Sequence, residues 1–203
     1  MKIKIVNPVR MDGQRESIER CLEYVREFKD PDTEIEWVDV KKGPEEIKQY
    51  YEEAFAIGPA VEEMEKSEEE GFDAVFMGWF CVVGLNAAKE ALSIPVVGAC
   101  EASVHVASML GRKFSILATT KREVKRIEDM VRKYGLISKL ASIKTIDIPP
   151  LEFAGEKGQE RLKEALLEKA KEALEEDQAD ILVVGCGCIM LASWLQERIG
   201  IPV

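Results

Sequence analysis

Short apolar runs alternate with amphipathic segments along almost the whole chain. The apolar runs predict strands at residues 2–6, 33–40, 73–78, 95–98, 113–119, 142–147 and 181–185. The segments between them have apolar residues at helical spacing and predict helices at residues 14–29, 44–70 with a break near Gly58 and Pro59, 83–92, 101–110, 121–134, 157–177 and 189–198. Near-continuous apolar strands separated by helices are typical of parallel sheets covered on both faces. The pattern therefore predicts an α/β fold with doubly wound parallel sheets.

An internal repeat divides the chain into two comparable parts. Residues 73–81 align with residues 180–188, and residues 94–96 (Ile-Pro-Val) align with residues 201–203 (Ile-Pro-Val). Both matches have the same offset of 107 positions, from 73 to 180 and from 95 to 202. The repeat predicts two similar halves, residues 1–97 and 98–203, related by a pseudo-twofold axis with a cleft between them. Two ordinary strand–helix units that agree by chance are the alternative.

Composition and charge limit the kinds of molecule that the chain is expected to bind. The chain has 203 residues, with 28 Lys and Arg against 38 Asp and Glu, which leaves a net charge of −10. This charge disfavours nucleic acids and anionic membrane surfaces. No apolar run is long enough to span a bilayer, and the first residues predict a strand rather than a signal peptide. Five cysteines without a secretory signal favour reduced thiols. We therefore expect a cytoplasmic protein that acts on a small molecule.

Three cysteines follow predicted strands and are the candidate catalytic groups. Cys81 lies just past one strand, Cys188 is its counterpart in the repeat, and Cys186 lies two positions before Cys188. Open parallel sheets bind ligands beyond the carboxyl ends of their strands. Two thiols at such ends could exchange a proton at a carbon next to a carbonyl, one removing it and one returning it on the other face. Each thiol precedes a predicted helix by a residue or two, which would lower its pKa.

Competing chemistries find less support in the residues. Zinc sites usually combine two pairs of ligands, and the chain has no second pair to accompany Cys186 and Cys188, so we expect no metal. The chain lacks a phosphate-binding loop, and Met190 stands where a dinucleotide fingerprint needs glycine. No lysine context indicates pyridoxal phosphate, so we expect no cofactor. Buried cysteine is usually a small apolar residue, which is our interpretation of Cys21 and Cys100.

A resemblance to a known family covers nearly the whole chain. The segments that share it, in order, are residues 6–8, 43–54, 84–90, 94–98, 101–111, 114–120, 134–142 and 185–186. In this order and spacing the chain resembles the hydantoin racemase branch of the aspartate/glutamate/hydantoin racemase superfamily. The resemblance implies cofactor-independent racemisation of amino acids or 5-substituted hydantoins by two cysteines between two similar domains.

The chain departs from the pattern of that family at its first thiol. The late family cysteine corresponds to Cys186, whereas the early one falls at position 79, which is Trp79. Cys81 and Cys188 lie two positions beyond these places, so a displaced pair is one interpretation. Two positions along an extended segment keep the same face. The large Trp79 ring would change which substrates enter.

Four residues are predicted to contact the substrate. They are Asn7, Trp79, Thr119 and Thr120. The two threonines keep the hydroxyl groups of the family at the end of a strand and the start of a helix, where an anion would bind well. The resemblance implies a further helix beyond the position of Val203, which is either absent from the protein or cut off by truncation of the sequence. If it is absent, we expect exposed apolar surface that favours a homo-oligomer.

Two further functions stay open. The loss of the first family thiol favours a relative with one cysteine, such as an arylmalonate-type decarboxylase or a maleate-type isomerase, in which Cys186 or Cys188 alone would donate the proton. The other alternative is a non-catalytic protein that binds small anions. Replacement of Cys81 and deuterium uptake at the substrate carbon would separate these functions from a two-thiol racemase.

Overall fold

A computed structural model describes residues 1–11, 15–153 and 155–203. The chain forms two compact units, Met1–Cys100 and Glu101–Val203. The internal repeat predicts a boundary after residue 97, and that boundary remains a prediction. In the part of the chain that is described, no helix is both long and apolar enough to cross a membrane.

The first unit is a four-stranded parallel sheet with helices. Its strands are β1 (Lys2–Asn7), β2 (Glu34–Asp39), β3 (Ala74–Met77) and β4 (Val96–Gly98), in the spatial order β2-β1-β3-β4. Its helices are α1 (Arg15–Phe28), α2 (Tyr50–Glu69) and α3 (Leu85–Ala91). Burial of apolar side chains from the strands, from α2 and from α3 forms the core, including Val6, Met64, Met77 and Ala88.

The second unit is a three-stranded parallel sheet. Its strands are β5 (Phe114–Ala118), β6 (Leu140–Thr145) and β7 (Ile181–Val184), in the order β6-β5-β7. Its helices are α4 (Ala99–Leu110), which begins at the boundary, α5 (Val124–Lys133), α6 (Gly155–Glu175) and α7 (Ala192–Ile199), with short 3-10 turns at Ile137–Lys139 and Pro150–Phe153. Every residue of β5 is buried, as expected for the central strand of a covered sheet.

The repeat is visible in the backbone of both units. Strand β7 lies 107 positions after β3 at both of its ends, and α7 begins 107 positions after α3. The amide of Val75 donates to the carbonyl oxygen of Pro95 at 2.9 Å, and the amide of Leu182 donates to that of Pro202 at 3.1 Å, again with the same offset. The order β2-β1-β3 of the first sheet corresponds to β6-β5-β7 of the second. The chain thus consists of two parallel-sheet α/β halves.

Helix α2 differs from the prediction for residues 44–70 at two points. It begins only at Tyr50, where the Glu52 carboxylate accepts a hydrogen bond from the Gln49 amide at 2.8 Å. It then continues through Pro59 without the expected break. Proline removes one helical hydrogen bond. Ala56 and Ala60 on either side of it are fully buried, and this tertiary packing keeps the helix continuous.

Candidate functional site

The carboxyl ends of β5 and β7 bring two predicted site residues together in the second unit. These strands are parallel neighbours in which Leu117 is level with Val184, and the Gly185 amide donates to the Leu117 carbonyl oxygen at 2.8 Å. Thr119 and Cys186 each lie two positions beyond this last pair of residues, in the loops that follow the strands. Both residues therefore lie at the same carboxyl end of the second sheet.

Cys186 and Cys188 form a hydrogen-bonded pair of thiols. Both are half-buried and pack against the apolar core of the second unit. The Ile189 amide donates to the Cys186 carbonyl oxygen at 3.1 Å, which closes a turn that carries both sulfur atoms. The side-chain hydrogen bond with Cys188, burial and the negative charge at Cys188 together raise the pKa of Cys186 well above its usual range. Cys186 therefore holds its proton when the neighbouring sulfur is negative.

A carboxylate fills the predicted anion position at the two threonines. One oxygen of Glu123, Oε2, accepts hydrogen bonds from the Thr119 amide at 3.1 Å, from the Thr119 hydroxyl at 2.5 Å and from the Thr120 amide at 3.2 Å. Thr119 is fully buried. The charge of Glu123 also contributes to raising the pKa of Cys186, so the carboxylate lies within electrostatic range of that thiol.

The corresponding end of the first sheet carries a different set of groups. Asn7 is buried at the end of β1, and its side-chain amide donates to Asp39 Oδ1 at 2.8 Å. The Trp37 indole nitrogen donates to the same oxygen at 2.8 Å. Trp79, which follows β3, is half-buried against the core of the first unit. The side-chain amide of Asn7 is thus held by Asp39 of β2, the neighbouring strand in the same sheet.

Cys81 is the most buried of the three candidate thiols. It is 4% exposed and lies in the loop between β3 and α3. The next residue, Val82, packs over the end of β4, where a methyl group added at Gly98 would come within 2.2 Å of Val82 Cγ1. This loop is therefore closely packed on the sheet.

The expectation that helices begin a residue or two after Cys81 and Cys188 is wrong. Helix α3 begins four residues after Cys81, and α7 begins four residues after Cys188. The field of a helix end falls off within about one turn. The apolar pattern starts each helix too early because Val82, Val83 and Ile189 belong to packed loops. The helix ends are therefore too far along the chain to act strongly on these two thiols.

Sequence reasoning missed Glu123. The signal was present as a threonine followed three residues later by glutamate, which is the pattern of a capping box and here reads Thr120 to Glu123. The single histidine, His105, has its Nδ1 atom 2.7 Å from the carbonyl oxygen of Glu101, and Cys100 is fully buried. Among the residues that the structure describes, no group of three or more His, Cys, Asp or Glu side chains could hold a metal ion.

Comparison with known proteins decides the family. A family profile described as Asp/Glu/Hydantoin racemase matches residues 12–203. The chain belongs to this family. It is 37% identical over 204 residues to a hydantoin racemase from Pseudomonas sp. (strain NS671), a match that covers 100% of this chain and 80% of that protein. As a racemase it is an isomerase that acts on a small molecule.

Solved structures agree with this assignment. An allantoin racemase from Klebsiella pneumoniae superposes with a TM-score of 0.91 and 30% identity, covering 100% of this chain and 81% of that one. A glutamate racemase from Bacillus anthracis superposes with a TM-score of 0.65 at 18% identity, covering 98% of this chain and 73% of that one, and shows the shared fold alone. Both parallel-sheet halves are therefore features of the family.

Proposed function

We propose that this racemase inverts 5-substituted hydantoins or related amino-acid derivatives, without a cofactor, by proton exchange between thiols. The observation that carries the proposal is the hydrogen-bonded Cys186–Cys188 pair at the carboxyl end of β7. The names of similar proteins, a hydantoin racemase and an allantoin racemase, support a cyclic ureide as the substrate.

The proposed reaction moves one proton in each of two steps. A thiolate takes the proton from the carbon next to the carbonyl, and the electron pair of the broken C–H bond passes into an enolate. A thiol on the other face then donates its proton to that carbon and becomes a thiolate. We assign Cys81 to one face and the pair of Cys186 and Cys188 to the other. The two protonation states exchange, so the reverse reaction uses the same groups.

The raised pKa of Cys186 suits this chemistry. A general acid has to hold its proton until the step in which it donates that proton to the carbon. The raised pKa keeps Cys186 in its protonated form, which suits the thiol that returns the proton. We propose that Cys188 works through Cys186 by setting how firmly that proton is held. Asn7 and Trp79 are proposed to contact the substrate directly, and Thr119 and Thr120, whose donors hold Glu123, are proposed to act on it through that carboxylate.

Optical measurement tests this function directly. Each enantiomer of a 5-substituted hydantoin is incubated with dialysed, chelator-treated protein, and the loss of circular dichroism is followed against an enzyme-free control. We expect racemisation from both enantiomers, and none above the control with Cys186→Ala. Equal rates with Cys186→Ala and the wild type would overturn the assignment of Cys186. No racemisation by the wild type would overturn the hydantoin substrate.

A one-thiol enzyme is the second candidate, and the burial of Cys81 favours it. In this case Cys186 or Cys188 alone donates a proton to a carbanion formed by cleavage of another bond, as in an arylmalonate-type decarboxylase. Cys81→Ala would then leave turnover nearly unchanged. A two-thiol racemase would lose turnover with both enantiomers in the same variant.

A further inference from the structure

The donor set at the end of β5 is occupied by the chain itself. Two successive backbone amides and one hydroxyl group, all from Thr119 and Thr120, converge on a single oxygen of Glu123. The Thr119 side chain is fully buried, so its hydroxyl cannot turn to solvent for another partner. This arrangement suits a carboxylate oxygen, and a carboxylate is what it holds.

The position of this carboxylate relates it to the proposed chemistry. Thr119 and Cys186 each lie two positions beyond the last paired residues of β5 and β7, at the same end of the second sheet, and the negative charge of Glu123 acts on the Cys186 thiol. A substrate held at Cys186 therefore meets Glu123 close by. If that substrate carried its own carboxylate, two negative charges would compete for the same three donors in a partly desolvated place, which is unfavourable.

We propose that Glu123 is a specificity-determining residue, whose carboxylate occupies the donors of Thr119 and Thr120 beside Cys186 and so excludes substrates with a free carboxylate. Uncharged cyclic ureides do not compete for these donors and are admitted. The inference rests on the proposed function. It narrows the substrate class, because Glu123 would favour uncharged rings over open-chain amino-acid derivatives. It also explains why the threonines need not bind the substrate as an anion.

The alternative role for Glu123 is only structural. It directly precedes α5, and its carboxylate could serve as a cap for the residues that enter the helix. Glu123→Gln separates the two roles because the amide oxygen still accepts hydrogen bonds while the negative charge is gone. A suitable control is Glu128→Gln, which removes one charge from the same helix at a side chain that pairs with Arg132 at 2.7 Å.

The experiment uses two small molecules that differ by the addition of one water. N-carbamoylalanine is the ring-opened, carboxylate form of 5-methylhydantoin, and its binding to the whole protein is measured by calorimetry. We expect Glu123→Gln to bind N-carbamoylalanine at least about fivefold more tightly than the wild type does. Glu128→Gln should bind it as the wild type does.

Two results would overturn the proposal. One is a gain below about fivefold in Glu123→Gln, and the other is an equal gain in Glu128→Gln, which would indicate general loss of negative charge. Racemisation of 5-methylhydantoin by the wild type is measured in parallel. Its absence would contradict the proposed function, whereas the calorimetric result concerns carboxylate binding alone, so the two failures are distinguishable.

Discussion

The carboxyl ends of β3 and β7 share one backbone plan and differ in chemistry. Each strand has four residues, each is followed by a loop of seven residues before its helix, and the loops carry Cys81 and Cys188 at equivalent places. In the first unit the equivalent of Cys186 is Trp79, and Cys81 is buried. In the second unit two half-buried thiols share a hydrogen bond at the carboxyl end of β7.

This difference teaches that backbone repetition and chemical repetition are separate properties. Parallel pairing fixes where a residue after the strand lies, because the hydrogen bonds of the sheet set its register. The identity of that residue then decides whether the position is acidic, basic or apolar. The second unit therefore carries most of the chemistry in our account, and the first supplies one closely packed thiol.

Removal of the thiol at Cys186 should have the largest effect. We expect Cys186→Ala to lower the racemisation rate by about a thousandfold, because general acid–base groups typically contribute factors of this order. Polarimetry of each hydantoin enantiomer measures it. Cys21→Ala is the matched control, since Cys21 lies on α1 away from the strand ends. A similar rate loss in both variants would show that loss of any thiol disturbs the protein.

Cys81→Ala decides whether the first unit takes part in the chemistry. We expect about a hundredfold loss of rate from both enantiomers, because the two-thiol reaction needs a proton-transfer group on each face. Cys100→Ala is the control, because Cys100 is also a buried thiol of the first unit. Rates that match between these two variants would support a one-thiol enzyme instead.

Cys188→Ser should change how readily Cys186 ionises. The serine hydroxyl does not ionise in the accessible pH range, so the negative charge that raises the pKa of Cys186 is removed. We expect the pH profile of Cys186 alkylation to move to lower pH, as measured by mass spectrometry of the modified peptide. Burial remains and still raises the pKa of Cys186. An unchanged profile would show that Cys188 does not influence its neighbour.

The smallest expected effect concerns stability rather than turnover. In the first unit Lys4 of β1 is buried, with its ammonium 3.0 Å from Glu36, 2.5 Å from Glu70 and 4.2 Å from the ring centre of Phe72. At the equivalent strand contact in the second unit, the hydroxyls of Ser115 and Ser142 lie 2.8 Å apart.

We expect Lys4→Met to lower the free energy of unfolding by about 1 kcal/mol at neutral pH, because both carboxylates are partly in solvent. Burial lowers the pKa of Lys4, but hydrogen bonds with Glu70 and Glu36 outweigh it, so the pKa is raised. The contribution is therefore complete below the unfolded value of about 10.4 and is lost as the pH rises through the folded value. Denaturant unfolding at neutral and alkaline pH measures this, and a difference that grows with pH would contradict it.

Local pattern predicted the strands and the thiols that follow them, and it did so for a physical reason. Strands such as β5 and β7 are buried on both faces, which makes them continuous apolar runs with clear ends. Helix starts were harder to predict, because Val83 and Ile189 are apolar and buried although they lie in loops. The continuity of α2 at Pro59 depends on tertiary packing, which a local sequence pattern does not reveal.

The hydrogen-bond partners of the site were harder still to predict. Glu123 lies among charged residues and has the composition of a solvated helix face. The capping-box spacing links Glu123 to Thr120, but the contact of its carboxylate with the Thr119 hydroxyl depends on the turn after β5. The pairing of Cys186 with Cys188 similarly depends on a loop conformation that spacing alone leaves open.

Deuterium incorporation in heavy water tests the central claim, that separate thiols serve the two faces of one carbon. One enantiomer of a 5-substituted hydantoin is incubated with the enzyme until a small fraction has been converted. The two enantiomers are then separated, and the deuterium content of each is measured by mass spectrometry against an enzyme-free control. Our account predicts deuterium in the newly formed enantiomer and almost none in the remaining substrate, because the proton removed on one face is not the one returned on the other. Equal early labelling of both enantiomers would mean that a single group serves both faces, and would contradict it.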